Sequence, residues 1–353
     1  MALESNVYPT PQRPGHRTIR TAGIAVRVNI RALTLAAIAA VIVAALVVWA
    51  VTLGSFTIPF RDVILAILGR GTDDTEMVVR SLRLPRILSA VMVGAALAVS
   101  GTIFQGIARN PLVSPDIIGI NTGATLLAMS AIIFGFGSAL VPVAAFVGAL
   151  VTAVTIYLLS WKNGISTNRL ILVGIGVGAV VSAGSTYLTV KFPVEIVRPA
   201  VVWSMGSFYA TTWSDVVLLA ISLAILLPLS ILLMESLRTL QFGDIMTRSL
   251  GVSLERTRLM LMVVGCALAA ISVSLAGPIG FVALIVPHMA RMIAGPPTGS
   301  VLLFTSLLGS IMLLASDIVA QHMLPVTLPV GVITGAVGAP YFLFLLYRSN
   351  QRA

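Results

Sequence analysis

The chain has 353 residues, 58% of them hydrophobic and 10% charged, with a mean hydropathy of +1.05. A soluble protein devotes about a quarter of its residues to charge, so this chain lacks the polar side chains to cover a water-facing surface; the composition predicts an all-α, polytopic membrane protein. The formal net charge of +10 comes from 22 basic against 12 acidic residues, but the basic residues mostly flank apolar runs, where topology and lipid headgroups account for them, so lipid and not nucleic acid is the expected partner.

Residues 1–31 form a polar, basic tail with Arg13, Arg17, Arg20, Arg27 and Arg31, in which Pro9, Pro11 and Pro14 oppose helix. Ala32 to Leu53 is a run of 22 apolar or small residues, about 33 Å as a helix. That is longer than the apolar part of a secretory signal. It predicts an uncleaved first span with the N-terminus in the cytoplasm, opening a permease domain over 32–348. Residues 54–86 are the first external connection. Arg61, Arg70, Arg80, Arg83 and Arg86 there run against the positive-inside rule, and the acids beside them do not cancel that count. Either these arginines serve a purpose or the topology differs locally.

Further spans are expected at 87–108, 117–136, 140–160, 170–190, 216–234, 259–276, 279–293, 301–319 and 326–346, which makes ten with both termini inside. Between the second and third lies Gln105 to Gly123, where Arg109, Asn110, Asp116 and Asn121 accompany Pro111, Leu112 and Pro115. Irregular backbone at membrane depth needs protein or water to satisfy its hydrogen bonds, so this stretch faces a bundle interior or a path mouth. A tight turn capped by Asn110 and Asp116 accounts for the same residues. Residues 191–214 hold a short helix candidate around Val201 to Phe208, with Trp203, Tyr209 and Trp213 suited to the interface.

Glu235 to Arg258 is a polar island between apolar runs. Its pattern, with polar residues between Leu237, Leu240, Phe242, Ile245, Met246 and Leu250, fits one or two short amphipathic helices at a membrane surface. Such a face is a natural dock for a partner, and equally a surface loop lying on the bilayer. Past it, Gly277-Pro278-Ile279-Gly280 leads into an eighth span that is short, holds Pro287 and is expected to be broken or tilted. His288 and Arg291 sit three apart on its cytoplasmic end. His288 is a candidate contact, although a structural hydrogen bond is the simpler account. Asp317 near the external end of span nine reads as an interfacial carboxylate or a proton site.

The absences are informative. Neither lysine, Lys162 or Lys191, is followed by Ser or Thr, so no GxxxxGK[ST] phosphate loop exists. His16, His288 and His322 lack metal-ligand spacing, and Cys266 stands alone. A transporter with no engine of its own and no evident ion-coupling series borrows one. An internal echo, Val93-Gly94-Ala95-Ala96-Leu97-Ala98 against Val264-Gly265-Cys266-Ala267-Leu268-Ala269, falls in spans running in opposite directions, as two halves of inverted topology would have it.

Four stretches together resemble the permeases of bacterial iron-siderophore and cobalamin ABC importers, the FecCD-like family: residues 82–124 with RNPL…P…GI…GA, LGVSLERTR (250–258), AGPIGFVALIVPHMARMI (276–293) and LPVGVITGAVGAPYFLFLL (328–346). The resemblance implies a bacterial cytoplasmic-membrane subunit that pairs with a second permease copy or paralogue. Two cytosolic ATPase subunits, which hold the ATP and Mg²⁺, and an extracytoplasmic binding protein would complete the importer. The chain itself would bind no cofactor and catalyse nothing. By the same resemblance, residues 238–256 are the coupling segment, with Arg238, Asp244, Arg248, Leu250, Gly251 and Glu255. Gln105, Arg109, Asn110, Pro111, Leu112, Asn121, Pro287, His288 and Arg291 lie near the pathway or gate. Arg61, Arg80, Arg83 and Arg198 are docking candidates for acidic residues of the binding protein. A ferric siderophore is the preferred cargo, with cobalamin or haem next. An ion-coupled secondary transporter using Asp317 or Asp116, or a non-transporting scaffold, are the competing classes.

Overall fold

The computed structural model describes residues 16–21, 24–54, 58–116, 119–162, 164 and 166–350; the readings that fall on residues 1–15 and on Arg352 lie outside them. An antiparallel hairpin of β1 (His16–Thr21) and β2 (Ile24–Asn29) leads directly into α1 (Ile30–Thr52). Among the described residues every later element is a helix, joined by turns. Asn29 starts α1 by accepting from Ala32 N at 3.2 Å, and its Nδ2 donates to Ala294 O at 3.3 Å, which ties the beginning of the first helix to a distant part of the chain.

Among the described residues, eight helices are long and apolar enough to cross a membrane, and two shorter apolar ones accompany them. The external connection of the sequence reading is itself folded: α2 (Phe60–Ile67) and α3 (Asp73–Glu76) precede a wide π-helical stretch, Met77–Arg83, that runs without a break into α4 (Leu84–Ala108). Then come α5 (Ile120–Ile133), α6 (Leu140–Ser160) and α7 (Thr167–Lys191). The short helix expected at 201–208 instead occupies Val194–Trp203, as α8. Pro193 at its N-cap sets its start, and the chain turns at Gly206, with φ +74°, where continued helix is impossible.

Helix α9 (Trp213–Gln241) takes in Glu235 and Arg238, so the polar island begins inside a helix. The island proper is α10 (Asp244–Ser249) and the turn to α11 (Leu254–Ala276). Of the two readings of the eighth span, broken or tilted, the break is corrected: α12 (Val282–Ala294) is short but continuous, with Pro287 inside it. Helix α13 (Gly299–Ile318) continues through a second π stretch, Val319–Met323, before α14 (Val330–Asn350).

Helices α4 and α11 form the centre. Their most apolar windows are 83% and 72% buried, against 17% in α7 and 22% in α9 and α14. Helix α4 packs on α13, α11, α9 and α12. Its crossing with α13 is set by Gly94 and Gly309, because a Cβ on either would run into the other's backbone carbonyl. Small hydroxyls tie the same contacts: Ser310 Oγ donates to Val91 O and Ser100 Oγ to Gly265 O, both at 2.7 Å. The two central helices are the ones that carry the internal echo.

Candidate coupling and gate site

The contacts divide the helix ends into two groups. One end of the bundle gathers the C-terminus of α4, the start of α1, the α9–α10–α11 segment and the C-terminus of α12. The opposite end gathers the start of α4, the end of α13, α2, α3 and α8.

At the first end, α4 stops because Arg109 adopts a left-handed conformation, φ 51°. Its amide N, with that of Asn110, closes onto the carbonyls of Gln105 and Gly106. Asn110 Oδ1 then accepts from Leu112 N at 2.9 Å, and Pro111 follows the turn. Asp116 accepts from Asn121 Nδ2 on α5. The turn is thus capped by Asn110, while Asp116, the other expected cap, bonds a side chain instead. The turn also aims Arg109 outward from the bundle's end, where its guanidinium meets Asp244, the first residue of α10. The same Asp244 oxygen accepts from Arg258 Nη2 at 2.8 Å, on α11. One carboxylate therefore joins the short helix to both central helices. Burial pushes that carboxyl up, yet the hydrogen bonds and charges of Arg109 and Arg258 outweigh it and hold the group below its ordinary value.

Thr247 completes the seating of α10, its Oγ1 donating to Thr239 O at 2.9 Å and Gly243 O at 2.7 Å. The outer face of α10 is apolar and uncovered within this chain: Ile245 is 86% exposed, with Met246 and Leu250 beside it. Arg248 and Glu255 line a shallow cleft of about 460 Å³ with Gly251, whose φ of +76° makes the turn into α11. Glu255 Oε2 is a buried acceptor with no hydrogen-bond partner among the described residues. Arg238 pairs with Glu235 one turn back, at 3.1 Å.

Deeper at this end, Gln105 is 3% exposed. Its Nε2 donates to Leu284 O at 2.9 Å, which turns Oε1 toward Arg291 in the last turn of α12. His288 lies on the same helix against the Tyr341 ring of α14, 6.3 Å between centroids. Pro287 is buried in α12. The structure thus brings Gln105, Arg109, Asn110 and Pro111 to one cleft with Arg291. His288 faces elsewhere, and Asn121 turns to Asp116.

At the opposite end, Arg61 on α2 and Arg198 on α8 are exposed. Arg80 is half exposed and pairs loosely with Glu76, while its carbonyl accepts from Trp213 Nε1 at 2.7 Å. Arg83 is drawn inward, donating to Val51 O at 2.6 Å. Two arginines named in the sequence, Arg86 and Arg258, have major structural roles whose partners it did not reveal. Arg86 makes a two-pronged bond to Asp317, Nε–Oδ2 2.9 Å and Nη2–Oδ1 2.7 Å, with side chains 17% and 5% exposed. Asp317 is therefore a buried, ion-paired carboxylate and not a free proton site. Arg258, 14 residues beyond its partner Asp244, gave no local signal. Among the described residues no group of three or more His, Cys, Asp or Glu is placed to hold a metal ion.

A bundle of apolar helices around two buried central ones, eight of them among the described residues long and apolar enough to cross a membrane, defines a polytopic membrane protein. The chain belongs to the FecCD transport family, which matches it over residues 17–348. It is 41% identical over 309 residues to the ferric enterobactin transport system permease protein FepG of Escherichia coli, across 86% of this chain and 93% of that protein. It is 38% identical over 287 residues to the cobalamin import system permease protein BtuC of Halobacterium salinarum, across 80% of this chain and 76% of that one. Among solved structures it resembles one described as an inward-facing metal-chelate type ABC transporter, with TM-score 0.79 and 29% identity over 90% of this chain and 99% of the other.

Proposed function

We propose that this chain is a permease subunit of an ATP-driven importer and forms, with a second permease copy or paralogue, the path for a ferric siderophore. The substrate reading rests on the relatives, several of which carry names of ferric-siderophore systems. The cobalamin permease among them keeps cobalamin, and with it haem, as the second reading. Two cytosolic ATPase subunits would supply the work and an extracytoplasmic protein would deliver the cargo.

The observation that carries the mechanism is α10: a short helix that offers Ile245 and Met246 outward while Asp244 pins it to Arg109 of α4 and Arg258 of α11. A partner that pushes α10 moves the ends of both central helices together. Arg238, Arg248, Leu250, Gly251 and Glu255 then form the rest of the coupling segment 238–256. Gln105, Arg109, Asn110, Pro111, Leu112, Asn121, Pro287, His288 and Arg291 belong to the gate side of the same end. Switching between outward and inward access needs two packed arrangements of similar energy and no bond chemistry.

The basic residues around α10, the α6–α7 link and the N-terminal segment favour this end as cytoplasmic, with both termini inside. Arg61, Arg80 and Arg198 are the docking arginines that stand exposed for the binding protein, where opposite charge improves orientation and encounter rate. Arg83, donating to Val51 O, is the weakest of the four. The pairing of α4 with α13 and of α11 with α6, the second helix of each half on the fourth of the other, supports halves of inverted topology and ten crossings. The bond between Asp317 and Arg86 argues against an ion-coupled carrier.

The test is gentle purification of the tagged chain from its native membrane. A stoichiometric ATPase should accompany it and be lost on Ile245→Asp, a change on an exposed face that leaves the fold intact by thermal melt. A chain that arrives alone, and that takes up solute in vesicles on an ion gradient, refutes the importer reading. Uptake of radiolabelled ferric siderophore against labelled cobalamin and haem decides the cargo.

A further inference from the structure

Behind the Asn110 turn lies a cleft of about 310 Å³ between α4, α9 and α12, lined by Arg109, Arg291, Gln105, Asn110, Gln241 and Thr102 together with small and proline residues. Two guanidinium groups and three amides face it, and no acid lines it, so its side chains carry a formal charge of +2 from the two arginines. Arg109 shares its carboxylate, Asp244, with Arg258. Arg291 is bonded to the neutral oxygen of Gln105, and no carboxylate among the described residues lies within ion-pair distance of it.

This arrangement is built, not incidental. Gln105 is buried, and its amide nitrogen is engaged by Leu284 O, so its oxygen is committed to holding Arg291 in place. Arg109 is held by the left-handed end of α4. Three helices end here, and their C-terminal dipoles favour cations. Several carbonyls at these ends are already taken: Gln105 and Gly106 by the amides of Arg109 and Asn110, Arg291 by Gly295, and Leu240 by Gly243. The side chains on the walls present the donors of two guanidinium groups and three amides, beside amide and hydroxyl oxygens, and no carboxylate. A partly desolvated cation without a counter-charge is costly, and an anion relieves that cost.

We infer that this cleft binds a phosphate-bearing anion, either the headgroup of an anionic phospholipid or free phosphate. The volume is at the low end for a ligand pocket; it suits a phosphate with its first neighbours and excludes a bulky metal chelate. Helix α9, one wall, buries only 22% of its apolar window within the chain, so acyl chains have a surface beside the cleft. Basic pockets between membrane helices are the established setting for such headgroups. The inference holds whichever end faces the cytoplasm, and it is independent of the importer's cargo.

The test follows the thermal unfolding midpoint of the purified full chain with its co-purifying subunits, in mild detergent after delipidation. The probes are dioctanoyl phosphatidylglycerol, inorganic phosphate, and dioctanoylglycerol as the phosphate-free control. Wild type should show a saturable rise with phosphatidylglycerol and none with dioctanoylglycerol. Arg291→Gln should weaken the apparent affinity by about tenfold or more, and Arg291→Lys, which keeps the charge without the fork, should fall between. If inorganic phosphate gives the same rise and competes, the anion is taken from solution; if only the lipid acts, it comes from the membrane. Should Arg291→Gln fail to fold, Gln241→Glu places an acid in the lining without touching the Gln105–Arg291 bond, and it must weaken binding likewise. A wild type indifferent to both phosphate probes overturns the inference, as do variants that respond as wild type does.

Discussion

Asp244→Asn isolates the joint between α10 and the two central helices, because it removes a charge and keeps the shape. Two guanidinium contacts weaken, to Arg109 and to Arg258. A hydrogen bond to a charged group is worth about 1.5–3 kcal/mol. The Arg109 arm, with side chains 38% and 46% exposed, is discounted to under about 1 kcal/mol by solvent screening. The Arg258 side chain is only 6% exposed, so its arm keeps the larger share, about 1.5 kcal/mol. Together these give about 2 kcal/mol, or roughly a thirtyfold rise in local opening of α10. Hydrogen exchange over residues 238–256 in the complete complex should show that loss of protection, while the buried core of α4 stays protected. In proteoliposomes, cargo moved per ATP hydrolysed should fall even where the ATPase remains bound. Because the folded carboxyl sits below its ordinary value, its contribution is full above the ordinary carboxylate range and is lost as pH falls through the lowered folded value. The wild-type and Asp244→Asn complexes should therefore converge in acid and differ most near neutrality. Unchanged exchange together with an unchanged transport-to-hydrolysis ratio refutes the joint.

Asp317→Asn leaves Arg86 facing a neutral group at a largely buried site, at a cost of about 3 kcal/mol or more, read as a lowered thermal midpoint. The double change Arg86→Gln with Asp317→Asn should recover much of it; a double variant as damaged as the single would mean packing, not charge, is at stake. Gly94→Ala forces a methyl into the Gly309 carbonyl and should destabilise the α4–α13 crossing by about 1–3 kcal/mol, whereas Gly335→Ala, which meets nothing within 4 Å, should be nearly silent in the same melt. Gly251→Ala strains a turn at φ +76° by about 1 kcal/mol and should loosen exchange at the start of α11 without changing the packing of α4 against α13.

The membrane class and the places where the chain changes character were legible in the sequence, since each depends on residues close together along it. Long apolar runs specify helices of bilayer length. Prolines, glycines and charged islands interrupt them, and the turn at Asn110 carries its cap two residues away. Local signals also misled. A short helix was expected at Val201 to Phe208, but Pro193 starts it earlier and Gly206 ends the segment. The arginines between 54 and 86 read as one group, yet Arg83 and Arg86 turn into the protein while Arg61 stays outside. No periodicity distinguishes them, because their fates are set by an acceptor elsewhere: Val51 on α1 for one, and Asp317, 231 residues on, for the other. The cleft and the joint have the same origin. Gln105 meets Arg291 across 186 residues, and Arg109 meets Asp244 across 135. In a chain whose helix surfaces are nearly uniformly apolar, hydrophobicity settles which segments enter the membrane and is almost indifferent to their neighbours. Those neighbours are chosen by close approach at glycines and by the few polar groups that must find a partner, and both conditions are met only when the helices come together.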